Sequence, residues 1–260
     1  IHETIAWLAS ELVRTITADI TDFPAEQLVA PVLVLGELFG EDSRGSCKLC
    51  GLLSRDGVPR ALLDLLCQLP IESLTHPTLG AARAVLVGRI IFALLTRMCS
   101  YSECWRALSV LSLPEALCIQ FDVLKTPPKQ LFLDPKSINK PGCEAHVYGA
   151  ILDDVLHLCM ALLTNAAWKQ LSIQVLSLLD CASDLLSQLL RAEVACSVVE
   201  TATSILVYIH EHDVEARPYI NESRTLSTLK ERGDRKKGGG GGGVEEAPQT
   251  GYSFVAPGRL

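Results

Sequence analysis

The stretch VYGAILDDVLHLCMALL, residues 147–163, decides the fold class. Its apolar side chains recur every three or four positions, which places them on one face of an α-helix. These positions are Val147, Ile151, Val155, Leu158 and Leu162. The same spacing returns at 171–189 and at 194–209. We therefore predict three amphipathic helices of about twenty residues, joined by short turns that make consecutive helices antiparallel.

Helical spacing extends through most of the chain outside that region. It predicts a long helix from Leu79 to Met98, with shorter helices before and after it. Hydrophobic residues make up 48% of the chain and aromatic residues only 5%, which favours packed helices over a β-sandwich. The expected fold class is all-α, with about 8–10 helices. Several helices carry apolar residues beyond one stripe, as expected for helices that pack on two sides.

Helical pairs recur loosely over 1–40, 46–69, 79–124 and 144–191. Their spacing, together with the small residues and the arginines of HPTLGAARAVLVGRI at 76–90, resembles armadillo and HEAT repeats. The resemblance implies an α-solenoid of stacked antiparallel helices, with a helical-repeat domain over residues 1–213. A compact, irregular helical domain is the alternative.

Two segments interrupt the pattern. Residues 125–142 contain four prolines and predict a long loop, in which QLFLD could make a short extended contact. Residues 214–237 are polar, and 222–237 contains six basic and three acidic residues, which gives a net charge of 6 − 3 = +3. We predict a solvated basic tail there, with a nuclear-localisation or acidic-partner patch as the alternative.

The totals limit the partners and the compartment. The net charge of −7 disfavours nucleic-acid binding by the domain as a whole. Six of the ten cysteines lie within leucine-rich helical patterns, where a free thiol acts as a small apolar side chain. They are Cys67, Cys99, Cys118, Cys159, Cys181 and Cys196. We predict an intracellular protein of the cytoplasm or nucleus. The apolar run at 84–95 is too short to span a membrane, so no membrane partner is expected.

No pattern for catalysis or metal binding stands out. Nucleophile-elbow and phosphate-loop motifs are absent, and Cys47 and Cys50 form a lone CxxC without a second ligand pair. Asp153 and Asp154 are adjacent, so on a helix they diverge by about 100° and cannot act as a close pair. We predict no enzyme activity, no catalytic residue, no metal, no cofactor and no small-molecule substrate.

The end of the chain, GGGGGGVEEAPQTGYSFVAPGRL at 238–260, differs from everything before it. Six glycines are typical of a flexible linker, and we predict that 238–243 is an engineered one, with a natural low-complexity linker before a native tail as the alternative. Residues 244–260 then form a tethered partner peptide, with Glu245 and Glu246 steering it. Its expected anchors are Tyr252, Phe254, Val255 and Leu260.

The expected function is a scaffold domain for protein–protein interaction that binds this extended peptide. The resemblance to armadillo repeats implies a groove with tryptophan and a nearby asparagine. The candidates are Trp105 and Trp168, each followed by a cation, Arg106 and Lys169. Core packing is the alternative role of both tryptophans. The alternative function is a structural subunit of a larger assembly, with a passive C-terminal segment.

Overall fold

A computed structural model describes residue 53 and residues 57–69, 79–165 and 170–238. These residues form eleven α-helices and no strand, which confirms the all-α class. The helices are α1 (Val58–Gln68), α2 (Leu79–Met98), α3 (Ser102–Val110), α4 (Leu113–Gln120), α5 (Lys129–Leu133), α6 (Glu144–Asn165), α7 (Leu171–Cys181), α8 (Ser183–Arg191), α9 (Ser197–His212), α10 (Arg217–Glu222) and α11 (Arg224–Gly238). This part of the chain alone thus has more helices than the eight to ten predicted.

Helix α6 lies at the centre, with α2 on one side and α9 on the other. Side-chain contacts fix the direction of the outer helix. Asp153 of α6 contacts Ser197 at the start of α9, and Leu163 near the end of α6 contacts Tyr208 near the end of α9. Helices α6 and α9 are therefore parallel. The sequence predicts antiparallel packing only for consecutive helices, and α7 and α8 lie between α6 and α9, so the parallel pair does not contradict it.

A second row runs beside the first and consists of α4 and α7. Gln174 Nε2 of α7 lies 3.5 Å from Glu115 Oε2 of α4, and the sulfur atoms of Cys118 and Cys181 are in bonding contact further along both helices. This pair is therefore also parallel. The disulfide corrects the prediction that Cys118 and Cys181 are unpaired apolar side chains, because two helices far apart in sequence lie side by side.

The predicted single helix over 171–189 is broken at Ala182. Helices α7 and α8 meet there at a bend of 64°. Both helices remain apolar on their inner faces, and Ala182 itself is buried. The bend redirects the chain so that α8 reaches α9 and α11. No proline or glycine marks this position, which is why periodicity alone did not predict it.

The proline-rich segment is ordered by two short 3-10 turns, Asp122–Lys125 and Pro135–Asn139, with α5 between them. QLFLD forms most of α5 and is not extended, which corrects the predicted contact. Ile138 of the second turn packs on α6 at Gly149, where an added Cβ would lie 2.5 Å from Ile138 Cγ1. Only a glycine on this face of α6 leaves room for the isoleucine.

The segment predicted to be a solvated tail contains α10 and α11. Ile220, Leu226 and Leu229 are fully or almost fully buried, and α11 packs against α9 and α8. Its remaining positions are largely polar, so α11 buries one narrow apolar stripe and turns a charged face outward. Helices α10 and α11 thus belong to the packed helical domain, which corrects the prediction of a solvated tail.

Helix α6 is long and apolar enough to cross a membrane by length and composition, as are α7 and α8 if the bent pair is taken together. The sequence-based prediction of no membrane partner rests on the run at 84–95 alone. Of the apolar window in α6, 56% is buried inside the protein. Because α6 packs against α2 on one side and α9 on the other, it has apolar residues on two sides.

Candidate functional site

The predicted site residues lie almost entirely outside the described part of the chain. Trp168, Lys169 and the peptide anchors Tyr252, Phe254, Val255 and Leu260 are not described. The backbone of Trp105 and Arg106 belongs to α3, but their side chains are not described. The roles of these residues therefore stay predictions, and the candidate surfaces come from other residues.

The first candidate is a polar cluster around Asp153, where α6 meets α9. The Ser197 hydroxyl donates to Asp153 Oδ2 at 2.7 Å, and the Thr201 hydroxyl donates to Oδ1 at 3.0 Å. Ser197 and Thr201 are one helical turn apart, so a single carboxylate receives both. His157 Nδ1 lies 3.5 Å from the same carboxylate and 2.8 Å from the Asp153 backbone carbonyl oxygen.

Asp154 contacts the opposite neighbour. Arg89 Nε of α2 donates to Asp154 Oδ2 at 2.8 Å. Burial raises the pKa of Asp154, and the Arg89 guanidinium only partly opposes that effect. The two adjacent carboxylates thus diverge, as expected for consecutive helical positions, and each joins α6 to a different helix.

The geometry of this cluster suits structural bonds better than catalysis. In a catalytic triad the histidine lies between the nucleophile and the carboxylate, so that it can accept the hydroxyl proton. Here the carboxylate lies between Ser197 and His157, and the serine hydroxyl already donates to it. Within the described ranges, no group of three or more His, Cys, Asp and Glu residues could hold a metal ion.

Three buried cysteines form a second cluster at the junction of α2, α3 and α6: Cys99, Cys104 and Cys159. Burial raises the pKa of Cys159 to about 12. It also raises the pKa of Cys99, and the neighbouring thiols of Cys159 and Cys104 add to that effect. A buried thiol that stays protonated at neutral pH is a poor nucleophile and a poor metal ligand. These side chains therefore contribute packing, as the sequence predicted for Cys99 and Cys159.

The third candidate is the segment around α5, residues 125–140, which we call the α5 ledge. Its exposed apolar surface lies on α5 itself. Leu133 is 87% exposed and Phe132 is 40% exposed, while Leu131 between α5 and the core is buried. Gln188 Nε2 of α8 donates to the Phe132 carbonyl oxygen at 3.3 Å and holds the ledge against the stack. The sequence predicted a contact by QLFLD here but not its helical conformation, because the prolines indicated an irregular loop. The apolar LFL triplet within it was the available signal.

Lysines flank the exposed apolar side chains of the ledge. Its charged residues are Lys125, Lys129, Asp134, Lys136 and Lys140, which gives 4 − 1 = +3 in a chain of net charge −7. All four lysines are exposed. Lys140 Nζ contacts Asp134 Oδ2 at 2.6 Å, and this contact lowers the pKa of Asp134. The arrangement can attract an acidic, apolar partner.

Comparison of the chain with family models, with curated proteins and with solved structures gave no match in any of the three.

Proposed function

We propose that this chain is a non-enzymatic scaffold domain for protein–protein interaction, built as an armadillo/HEAT-like stack, which binds a short extended peptide. Residues 244–260 are the peptide, supplied in cis through the six-glycine linker. The observation that carries the proposal is the packing of helices side by side in two rows, α2–α6–α9 and α4–α7, in which α6 is parallel to α9 and α4 is parallel to α7.

Two parallel rows support a solenoid for a topological reason. A helix of one row must be followed by a helix that returns the chain before the next member of the row can begin. Helices α3, α4 and the short α5 lie in sequence between α2 and α6, and α7 and α8 lie between α6 and α9. The three helices of the first row, α2, α6 and α9, start at Leu79, Glu144 and Ser197. This spacing is wider than in regular repeats, so the stack is irregular.

A stack of this kind presents its helices side by side as an extended surface, and such surfaces suit extended peptides. The residues at 244–260 include two prolines and two glycines, so a helix is not available to them on composition. Tyr252 and Phe254 are two positions apart, which puts both on one side of an extended strand. Aromatic anchors of this type dominate binding energy at interfaces.

The test compares the full chain with a variant that lacks residues 238–260. A linker of this length gives an effective concentration of about 1 mM, so a peptide with a Kd of about 0.1 mM would stabilise the fold by about 1.4 kcal/mol. We expect deletion to lower the melting temperature by about 3–6 °C. An unchanged melting temperature would contradict docking in cis.

The alternative is a structural subunit of a larger assembly, with 244–260 passive. Exposed apolar side chains on separate elements favour it, namely Leu86, Val110 and Ile119, which are 55%, 85% and 60% exposed. Replacing Tyr252 and Phe254 by alanine separates the two functions. The scaffold proposal expects the double variant to melt like the deletion, whereas a passive segment expects it to melt like the full chain.

A further inference from the structure

We propose that the α5 ledge is the docking site for residues 244–260, with Phe132 and Leu133 as the apolar contact and the flanking lysines as the contact for Glu245 and Glu246. This inference rests on the proposed function, since it names the site that the peptide uses.

The exposure of the ledge is the first argument. Phe132 and Leu133 are consecutive members of a five-residue helix whose third residue, Leu131, already anchors it to the core. The anchoring of α5 by Leu131 therefore does not explain why Leu133 is 87% exposed to solvent. A large apolar side chain held outward beside a second one is typical of a contact surface.

Charge is the second argument. The ledge has a net charge of +3, whereas the peptide contains Glu245, Glu246 and Arg259 and has a net charge of 1 − 2 = −1. The acidic pair of the peptide precedes its aromatic pair, so the peptide could place acids beside Lys129 or Lys136 and aromatics on Leu133. Opposite charges of this kind speed association and fix orientation more than they add affinity.

Reach is the third argument. Gln188 contacts Phe132, and the neighbouring Ser187 hydroxyl lies 2.7 Å from the Thr225 hydroxyl near the start of α11. The ledge is thus about one helix diameter, 10 Å, from the start of α11. From Thr225 to Gly238 the helix rises by 13 × 1.5, or about 20 Å. The 14 residues from Gly238 to Tyr252 span at most about 46 Å, which exceeds the sum of both distances.

The test is photo-crosslinking within the full chain. The photoreactive amino acid p-benzoylphenylalanine replaces Phe254, and mass spectrometry maps the intramolecular products. We expect the main cross-links at residues 125–140. A second version carries Leu133→Ser, which should lower the yield at the ledge at least fivefold. Val110→Ser is the matched control, because Val110 is 85% exposed on α3, and it should leave the yield unchanged.

The outcomes separate the two proposals. Cross-links from Phe254 to other helices would overturn the ledge and leave peptide binding in cis intact. Absence of any intramolecular cross-link would overturn both. Anionic phospholipid vesicles are the remaining probe, since lysines around exposed Phe and Leu also suit a lipid surface. Leu133-dependent sedimentation with phosphatidylserine vesicles, without cross-links at the ledge, would assign the ledge to membranes and overturn the docking site.

Discussion

Substitution of Gly149 by alanine should destabilise the protein, although alanine is the better helix former. The gain in helix propensity is about 1 kcal/mol. Against it, the new Cβ would lie 2.5 Å from Ile138 Cγ1 and 3.0 Å from Ile138 Cδ1. Overpacking of this kind costs about 1–3 kcal/mol. Ile138 is 4% exposed, so it has little room to move away, and we expect a net loss of about 0–2 kcal/mol.

The sign of the effect should depend on Ile138. Ile138→Ala alone removes the packed side chain and should cost about 2–5 kcal/mol. In that background the atoms that oppose Cβ of residue 149 are gone, so Gly149→Ala should now stabilise the fold by about 1 kcal/mol. The coupling energy of the double-mutant cycle should therefore be about 1–3 kcal/mol.

The assay is equilibrium unfolding in urea, followed by circular dichroism of the helices, for the four proteins of the cycle. Ser204→Ala is the matched control, because Ser204 is exposed on α9 and its hydroxyl donates to the Glu200 carbonyl oxygen of the same helix. It should stabilise both backgrounds equally, by about 0.5 kcal/mol. Equal stabilisation by Gly149→Ala in both backgrounds would refute the close packing of Ile138 on α6.

Two further changes test the end of α8 and the bond between α6 and α9. Glu193 has a left-handed backbone with φ 53°, and its amide and that of Val194 donate to the Leu190 and Leu189 carbonyl oxygens. Because glycine adopts this conformation without strain, Glu193→Gly should raise the free energy of unfolding, measured in urea, by about 0.5–1 kcal/mol. Glu193→Ala should give no gain, since alanine keeps the Cβ. Asp153→Ala should lower the free energy of unfolding by about 2 kcal/mol, because the Ser197 and Thr201 hydroxyls lose their acceptor. Asp153→Asn should cost less than half of that, since the amide oxygen still accepts. Equal losses for the two variants would show that the hydroxyl contacts contribute little.

Periodicity predicted the helices that bury a broad apolar face. Leu79–Met98 has the predicted bounds, and the predicted stripe from Val147 to Leu162 lies within α6. The stripe works as a signal because burial of apolar residues at helical spacing decides both the helix and its orientation. Helix α11 was missed for the same reason. Among its described side chains, Leu226 and Leu229 form the buried face, and charged residues outnumber them in the sequence of the helix.

The candidate surfaces were harder to predict because they depend on residues far apart in sequence. Asp153 and Ser197 are 44 positions apart, and Phe132 and Gln188 are 56 apart. No local pattern encodes such contacts, so the row α2–α6–α9 and the position of the α5 ledge follow only from the fold. The tryptophan and peptide residues singled out in the sequence lie outside the described side chains, and their roles stay predictions.

The two adjacent aspartates explain how a leucine-rich stack can have a defined alignment. Apolar side chains stabilise α6 between its neighbours, but apolar contact alone tolerates sliding by a turn, since leucines recur at every turn. Hydrogen bonds to a carboxylate do not tolerate it, because they require donors within about 3 Å. Asp153 fixes α6 against α9 through Ser197 and Thr201, and Asp154 fixes it against α2 through Arg89. Because consecutive residues point about 100° apart on a helix, one dipeptide can align the central helix with both neighbours. Replacement of both Asp153 and Asp154 by leucine should therefore leave the helices folded but less uniquely aligned.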